Sequence, residues 1–192
     1  MLFFWILLIF IINIISVKDT IDLSSFKIKD ILNPDVWETS QKMNRTIRKN
    51  LLEIGIDFFN YLGIDTKIKD IILTGSLSNY NWSKYSDLDV HIVFDFTEVS
   101  QSDDKEFVKE YVNSRKVNWN EIHDITVKGF EVEMYPQDVH EHHRSTGIYS
   151  ILNDEWVNKP IRREFHVDYD CVREKTEQIM GEIDKLYSEV NK

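Results

Sequence analysis

Leu73-Thr-Gly-Ser-Leu-Ser-Asn-Tyr-Asn-Trp-Ser-Lys-Tyr-Ser-Asp-Leu-Asp-Val-His-Ile-Val-Phe94 decides how the rest of the chain reads. Its second half alternates: Leu88, Val90, Ile92 and Phe94 fall on one side, and Asp87, Asp89, His91 and Val93 on the other. A period of two marks a half-buried strand, so one face enters a core and the other presents two carboxylates. Two positions along a strand separate Cα atoms by roughly 6 to 7 Å, close enough for both carboxylates to converge on a hard cation such as Mg²⁺. In the first half, Gly75 permits a tight turn and close backbone approach. Ser76 sits where a strand runs into a short helix, whose first N–H groups are suited to phosphate oxygens.

Outward from this stretch, Ile68–Thr74 is a short isoleucine-rich run ended by Gly75, which suits a buried strand. Before it, Ile47, Leu51, Ile54, Phe58 and Leu62 recur at helical spacing from Asn44, and Gly63 stands in the C′ position. The basic face of that helix, with Lys42, Arg45, Arg48 and Lys49, reads as ordinary solvated charge. Earlier still, Asp19–Gln41 reads as an extended arm anchored by Phe26, Ile31, Leu32, Val36 and Trp37, with a turn at Asn33-Pro34. Downstream, Ser102 is suited to cap a helix through about Ser114, with Asp103, Asp104 and Glu106 in its first turn and Phe107, Val108, Tyr111 and Val112 as its apolar stripe. A third strand is expected over Ile125–Tyr135, where Phe130, Val132 and Met134 alternate with Glu131, Glu133 and Tyr135 until Pro136 stops the pairing. Alternation points Glu131 and Glu133 to the same face, so either could supply a third acid. Gln137–Pro160 reads as loop-rich, and Val172, Ile179, Ile183, Leu186 and Val190 mark a C-terminal helix that packs across the sheet or against a partner.

The order of Gly-Ser, then Asp-x-Asp, then an acid between apolar residues resembles the nucleotidyltransferase superfamily of polymerase-beta-like enzymes, oligoadenylate synthetases and minimal nucleotidyltransferases. Over roughly Phe26 to Asn158 the chain looks closest to predicted nucleotidyltransferases of phages and large viruses, through the strings LTGS, NYNWS, SDLDVH, EVEMYPQDV and STGIYS. The resemblance implies an α/β (α+β) fold, a small mixed sheet flanked by helices. It selects Glu133 as the third acid, because Val132-Glu-Met-Tyr-Pro136 is similar to the third-acid strand of oligoadenylate synthetases, with glutamate where aspartate is usual. Asp87, Asp89 and Glu133 are then the expected catalytic and metal-binding residues. Gly75, Ser76 and Lys84 are expected on the triphosphate, and Mg²⁺ or Mn²⁺ is the expected ion. The implied reaction moves a nucleoside monophosphate from a nucleoside triphosphate, such as ATP, to an unidentified hydroxyl acceptor and releases pyrophosphate. The competing reading is a noncatalytic nucleotide-binding or antitoxin-like partner module of the same fold.

With 192 residues, 42% of them hydrophobic, the chain suits one core, expected over residues 19–192 with the C-terminal helix included. No room remains for the helical domains with which polymerases hold nucleic acid, and a formal charge of −10 repels a phosphate backbone, so a compact acceptor is expected. Cys171 is the only cysteine; an internal disulfide and a zinc ribbon are excluded and a reducing, cytoplasmic setting is favoured. Residues 1–18 are a separate apolar segment. The run Met1–Val17, about 24 Å long as a helix, reads as a short membrane anchor, as a buried or swapped core segment, or as upstream codons from a misassigned start. Membrane association through residues 1–17 is therefore one expectation.

Other chemistry-bearing residues carry weaker signals. His140, His142 and His143 lack the spacing and cysteine partners of a zinc motif, and His91 reads as a structural neighbour of the acids. Arg144 could neutralise triphosphate charge and Tyr80, Trp82 or Tyr149 could stack on a base, with surface charge and packing as equally good readings. Lys159, Arg162 and Arg163 read as solvated loop charge.

Overall fold

The computed structural model describes residues 25, 27–39, 42–99, 104–164 and 166–190. The apolar run of residues 1–17 and the helix-capping positions Ser102 and Asp103 lie outside them, as does the expected anchor Phe26. A compact body spans Ile28–Glu164. Its elements are a short antiparallel pair, β1 (Trp37–Thr39) and β2 (Lys42–Met43), then helix α1 (Arg45–Leu62), β3 (Asp70–Leu73), β4 (Leu88–Phe94), helix α2 (Lys105–Ile122), β5 (Thr126–Val127), β6 (Phe130–Asp138), β7 (Ile148–Ser150) and β8 (Glu155–Asn158). A C-terminal helix, α3 (Tyr169–Val190), belongs to a second unit.

Strands β3 to β8 form one mixed sheet in the order β5-β6-β4-β3-β7-β8. Only the β4–β6 pair is parallel, and α2 supplies the crossover that a parallel pair requires. This is the α+β arrangement expected from the sequence.

Helix α1 forms where its caps say it should. The Asn44 carboxamide accepts from the N–H groups of Thr46 at 3.0 Å and Ile47 at 3.3 Å, and Gly63 closes the helix with φ 66°. Ile47, Leu51, Gly55, Phe58 and Leu62 are buried. A Cβ at Gly55 would stand 3.1 Å from the Cδ1 atoms of Ile71 and Ile92, so this residue sets how closely the helix lies on β3 and β4.

Three boundaries differ from expectation, each for a physical reason. Helix α2 is capped by Asp104, which accepts from Phe107 N–H at 3.1 Å, and it runs to Ile122 rather than Ser114. No glycine or proline interrupts it, and Trp119 extends the buried stripe begun by Val108 and Val112, while Phe107 is exposed. Strand β6 passes through Pro136, which sits in register with Ile92. Both main-chain polar groups of Met134 bond the Asn120 side chain, so residues of that parity turn their N–H away from β4; Pro136 is of the same parity and removes no ladder bond. The stretch expected to be loop holds β7 and β8, where buried Tyr149 meets the stacked rings of Trp37 and Trp156 edge-on at separations of 4.9 and 5.1 Å. In the arm, Leu32, Val36 and Trp37 are buried and Ile31 is exposed.

The localisation expected from the sequence, cytoplasmic with attachment through residues 1–17, does not stand. Among the described residues no helix is long and apolar enough to cross a membrane. The helices present carry charged side chains in nearly every turn.

Candidate functional site

Asp87 ends the loop before β4, Asp89 is the second residue of that strand, and Glu133 lies directly opposite Asp89 on β6. Because the two strands are parallel and in register, alternation sends Leu88, Val90, Val132 and Met134 into the core and the acids to the other face. Carboxylate oxygens of Asp87, Asp89 and Glu133 lie within 4.8 Å of one another. Glu131 instead pairs with Thr126 near the sheet edge, is exposed, and is outside this cluster. Burial, followed by the charges of Asp87 and Glu133, pushes the Asp89 carboxyl up to about 6.

The Gly-Ser turn presses on this cluster. Gly75 has φ 73°, and a Cβ there would fall 1.8 Å from Asp89 Oδ2. Only glycine satisfies both conditions. The turn is also tied to the loop that delivers Asp87: Ser76 donates its hydroxyl proton to Ser86 Oγ at 2.7 Å, which in turn accepts from Ser83 N–H at 2.9 Å. Thr74 N–H donates to the Asp89 carbonyl at 3.0 Å, fixing β3 against β4 at the level of the acids. Lys84 is exposed in the same loop, its Nζ 4.8 Å from the centre of the Tyr85 ring. The structure therefore brings Gly75 and the three acids together, holds Ser76 to the Asp87 loop, and leaves Lys84 on the surface.

Behind the acids lies a second layer, of which the sequence announces only His91. Tyr135 donates its hydroxyl to the Glu133 carboxylate, its ring stacks on His91 at 4.8 Å, and Lys116 Nζ stands 4.7 Å from the same ring. His143 meets His91 edge-on at 4.6 Å. Burial, then the nearby His143, pushes His91 down to about 3, so its imidazole is neutral at physiological pH. Burial and the bond to Glu133 raise the Tyr135 hydroxyl, keeping it a donor. An open groove of about 480 Å³ runs from Gly75 and Asp89 past His91 and Gln137 to Arg144 and Ser145. The i, i+2 spacing of Asp89 and His91, and of Glu133 and Tyr135, is visible in the sequence. Lys116 and His143 arrive from distant elements and leave no local pattern.

The remaining candidates resolve into structure. Tyr149 is core, and Trp82 donates Nε1–H to the Ile31 carbonyl at 2.9 Å. His140 belongs to another acidic cluster with Asp95 and Asp138, where Lys105 lies 2.5 Å from Asp138. Burial alone would raise the Asp138 carboxyl, but bonds from Lys105 and from backbone N–H groups outweigh it and hold it below the usual range. Lys42 and Arg48 both meet Asp154, and Arg162 meets Asp30 and Glu164.

Residues 56–145 match the family model of the nucleotidyltransferase domain, and that span contains the Gly75-Ser76 turn and all three acids. No curated protein and no solved structure matches the chain. Together, the mixed sheet, its flanking helices and the matched span give an α+β arrangement consistent with the nucleotidyltransferase fold, with an acidic cluster that could hold metal.

Proposed function

We propose that the protein is a metal-dependent nucleotidyltransferase that transfers a nucleoside monophosphate from a nucleoside triphosphate to a hydroxyl of an as yet unidentified acceptor. The observation that carries this reading is the meeting of Asp87, Asp89 and Glu133 beside the Gly75 turn, inside the span that matches the family. The donor set fits a hard divalent cation, Mg²⁺ or Mn²⁺: all three ligands offer carboxylate oxygen, and the raised proton affinity of Asp89 marks a cluster with more negative charge than it can comfortably hold. Asp87, Asp89 and Glu133 would hold the ion, which when bound supplies charge neutralisation and polarisation at phosphoryl oxygen.

The chain's own residues account for the rest. The side-chain-free Gly75 lets the triphosphate approach the backbone, and Ser76 with the exposed cations Lys84 and Arg144 provides partners for its outer oxygens. Glu133 accepts the proton of the acceptor hydroxyl as that oxygen bonds the α-phosphorus and the bond to the pyrophosphate oxygen breaks. Tyr135 keeps the Glu133 carboxylate turned towards its neighbours. Residues 19–192 would act as one nucleotidyltransferase-like domain, with Ile28–Glu164 as its catalytic body. The strings LTGS, NYNWS and EVEMYPQDV support phage or large-virus relatives.

The test is pyrophosphate release from each of the four ribonucleoside triphosphates with Mg²⁺ or Mn²⁺ and host extract as acceptor source, wild type beside Asp89→Ala. Release confined to the wild type supports the proposal. Nucleotide binding without release would favour the noncatalytic module, and equal release by Asp89→Ala would remove the site assignment.

A further inference from the structure

Helix α3 has 22 residues, none of them buried. Val172, Thr176, Ile179, Ile183, Leu186 and Val190 are separated alternately by four and three residues, and all but Thr176 are apolar. Ile179, Ile183, Leu186 and Val190 are 54%, 58%, 62% and 83% exposed. Positions in this alternation, four apart and then three, are the a and d positions of a heptad, and they set one narrow seam along the exposed helix of the kind that a second helix with the same pattern covers. The seam therefore asks for another helix.

The charges beside the seam say which helix and which direction. Lys175, Glu182 and Glu189 occupy the flanking g positions. In a parallel pair, Lys175 would face the partner's Met180 and Glu182 the partner's Tyr187, giving no charge pairing. In an antiparallel pair with apolar layers aligned, Ile183 meets the partner's Ile179 and Thr176 meets the partner's Leu186. That register sets Lys175 against the partner's Glu189, and the two-fold axis repeats the contact. Met180 then faces its own counterpart, extending the apolar seam, and Glu182 meets its counterpart at the axis as the one unfavourable contact. We infer that α3 is an antiparallel dimerisation helix whose partner is a second copy of this chain. The inference does not depend on the proposed chemistry, because its readout is mass.

Sedimentation velocity on the full chain across micromolar concentrations tests it. The expected result is a reversible dimer that Ile183→Glu converts to monomer while the thermal transition of the body stays in place. Lys175→Glu or Glu189→Lys alone should weaken the dimer by about tenfold, and the two together should restore it, since charge reversal at both partners re-forms the pair. Glu182→Gln should tighten it. A wild-type monomer at every concentration would overturn the inference. So would an Ile183→Glu chain that stays dimeric, which would place the contact in another segment such as residues 1–17, or single reversals no weaker than the double variant, which would exclude the antiparallel register.

Discussion

Gly75 and Asp89 form the contact on which the candidate site turns, because the carboxylate occupies the space that any side chain at residue 75 would need. Gly75→Ala should cost about 1 to 3 kcal/mol for the backbone alone, whose φ of 73° and ψ of −162° essentially only glycine adopts, and it should also displace Asp89, so calorimetric stability and nucleotidyl transfer should fall together. Asp89 makes a pH prediction as well. Its folded carboxyl holds a proton up to about 6, whereas an unfolded one releases it near 3.8. The proton's contribution to stability is therefore fully present below about 3.8 and is lost as pH rises through about 6. Metal-free protein should show that loss in thermal melts, Asp89→Asn should not, and Mn²⁺ affinity should climb over the same interval as the proton leaves. Tyr135→Phe keeps the ring stacked on His91 and removes only the hydroxyl bonded to Glu133. Mn²⁺ affinity should drop by about tenfold with an unchanged melting temperature; an unchanged affinity would show that Tyr135 does not orient the acid. Of these residues, Gly75, Asp87 and Asp89 could be read from spacing, because alternation on one strand and a glycine before a turn are local facts, whereas only the family resemblance separated Glu133 from Glu131. The Tyr135 hydroxyl contact could not, since it depends on side-chain geometry that period two does not encode.

At the level of elements, legibility followed the range of the forces involved. Helix α1 was readable to the residue at both ends because its cap atoms lie within the helix's own sequence, in Asn44 and Gly63. Strand β6 was misjudged at Pro136 because its tolerance depends on which edge of the strand faces β4, a matter of tertiary pairing. Strands β7 and β8 span three and four residues and have too few alternations to announce themselves. The side chain that sets the outer edge of β6, Asn120, was equally invisible: it bonds both the N–H and the C=O of Met134 at 3.1 Å, doing for that edge what another strand would do. Asn120→Ala would strip partners from two main-chain groups next to Glu133. The expected loss is about 1 to 3 kcal/mol in denaturant unfolding, with transfer reduced more than for an exposed α2 change such as Glu121→Ala. Equal effects of the two substitutions would mean that the edge of β6 is held by its sheet pairing alone.

For the whole molecule, the core, the sheet and the matched span all lie within Ile28–Glu164, whereas α3 contributes no buried side chain. At the end of that body, Arg162 and Arg163 are exposed and offer trypsin sites, whereas Pro160 blocks cleavage after Lys159. Brief digestion should cut first in that stretch and leave a fragment whose thermal transition matches that of the intact chain, since the apolar residues that give the transition its cooperativity remain together. If the acids act as proposed, the fragment should still release pyrophosphate from the preferred nucleotide. If α3 alone joins two copies, the fragment should also sediment as a monomer. Chemistry and association would then be separable by one cut, and a fragment that unfolds early or loses turnover would show that α3 supports the body in a way its exposed face does not reveal.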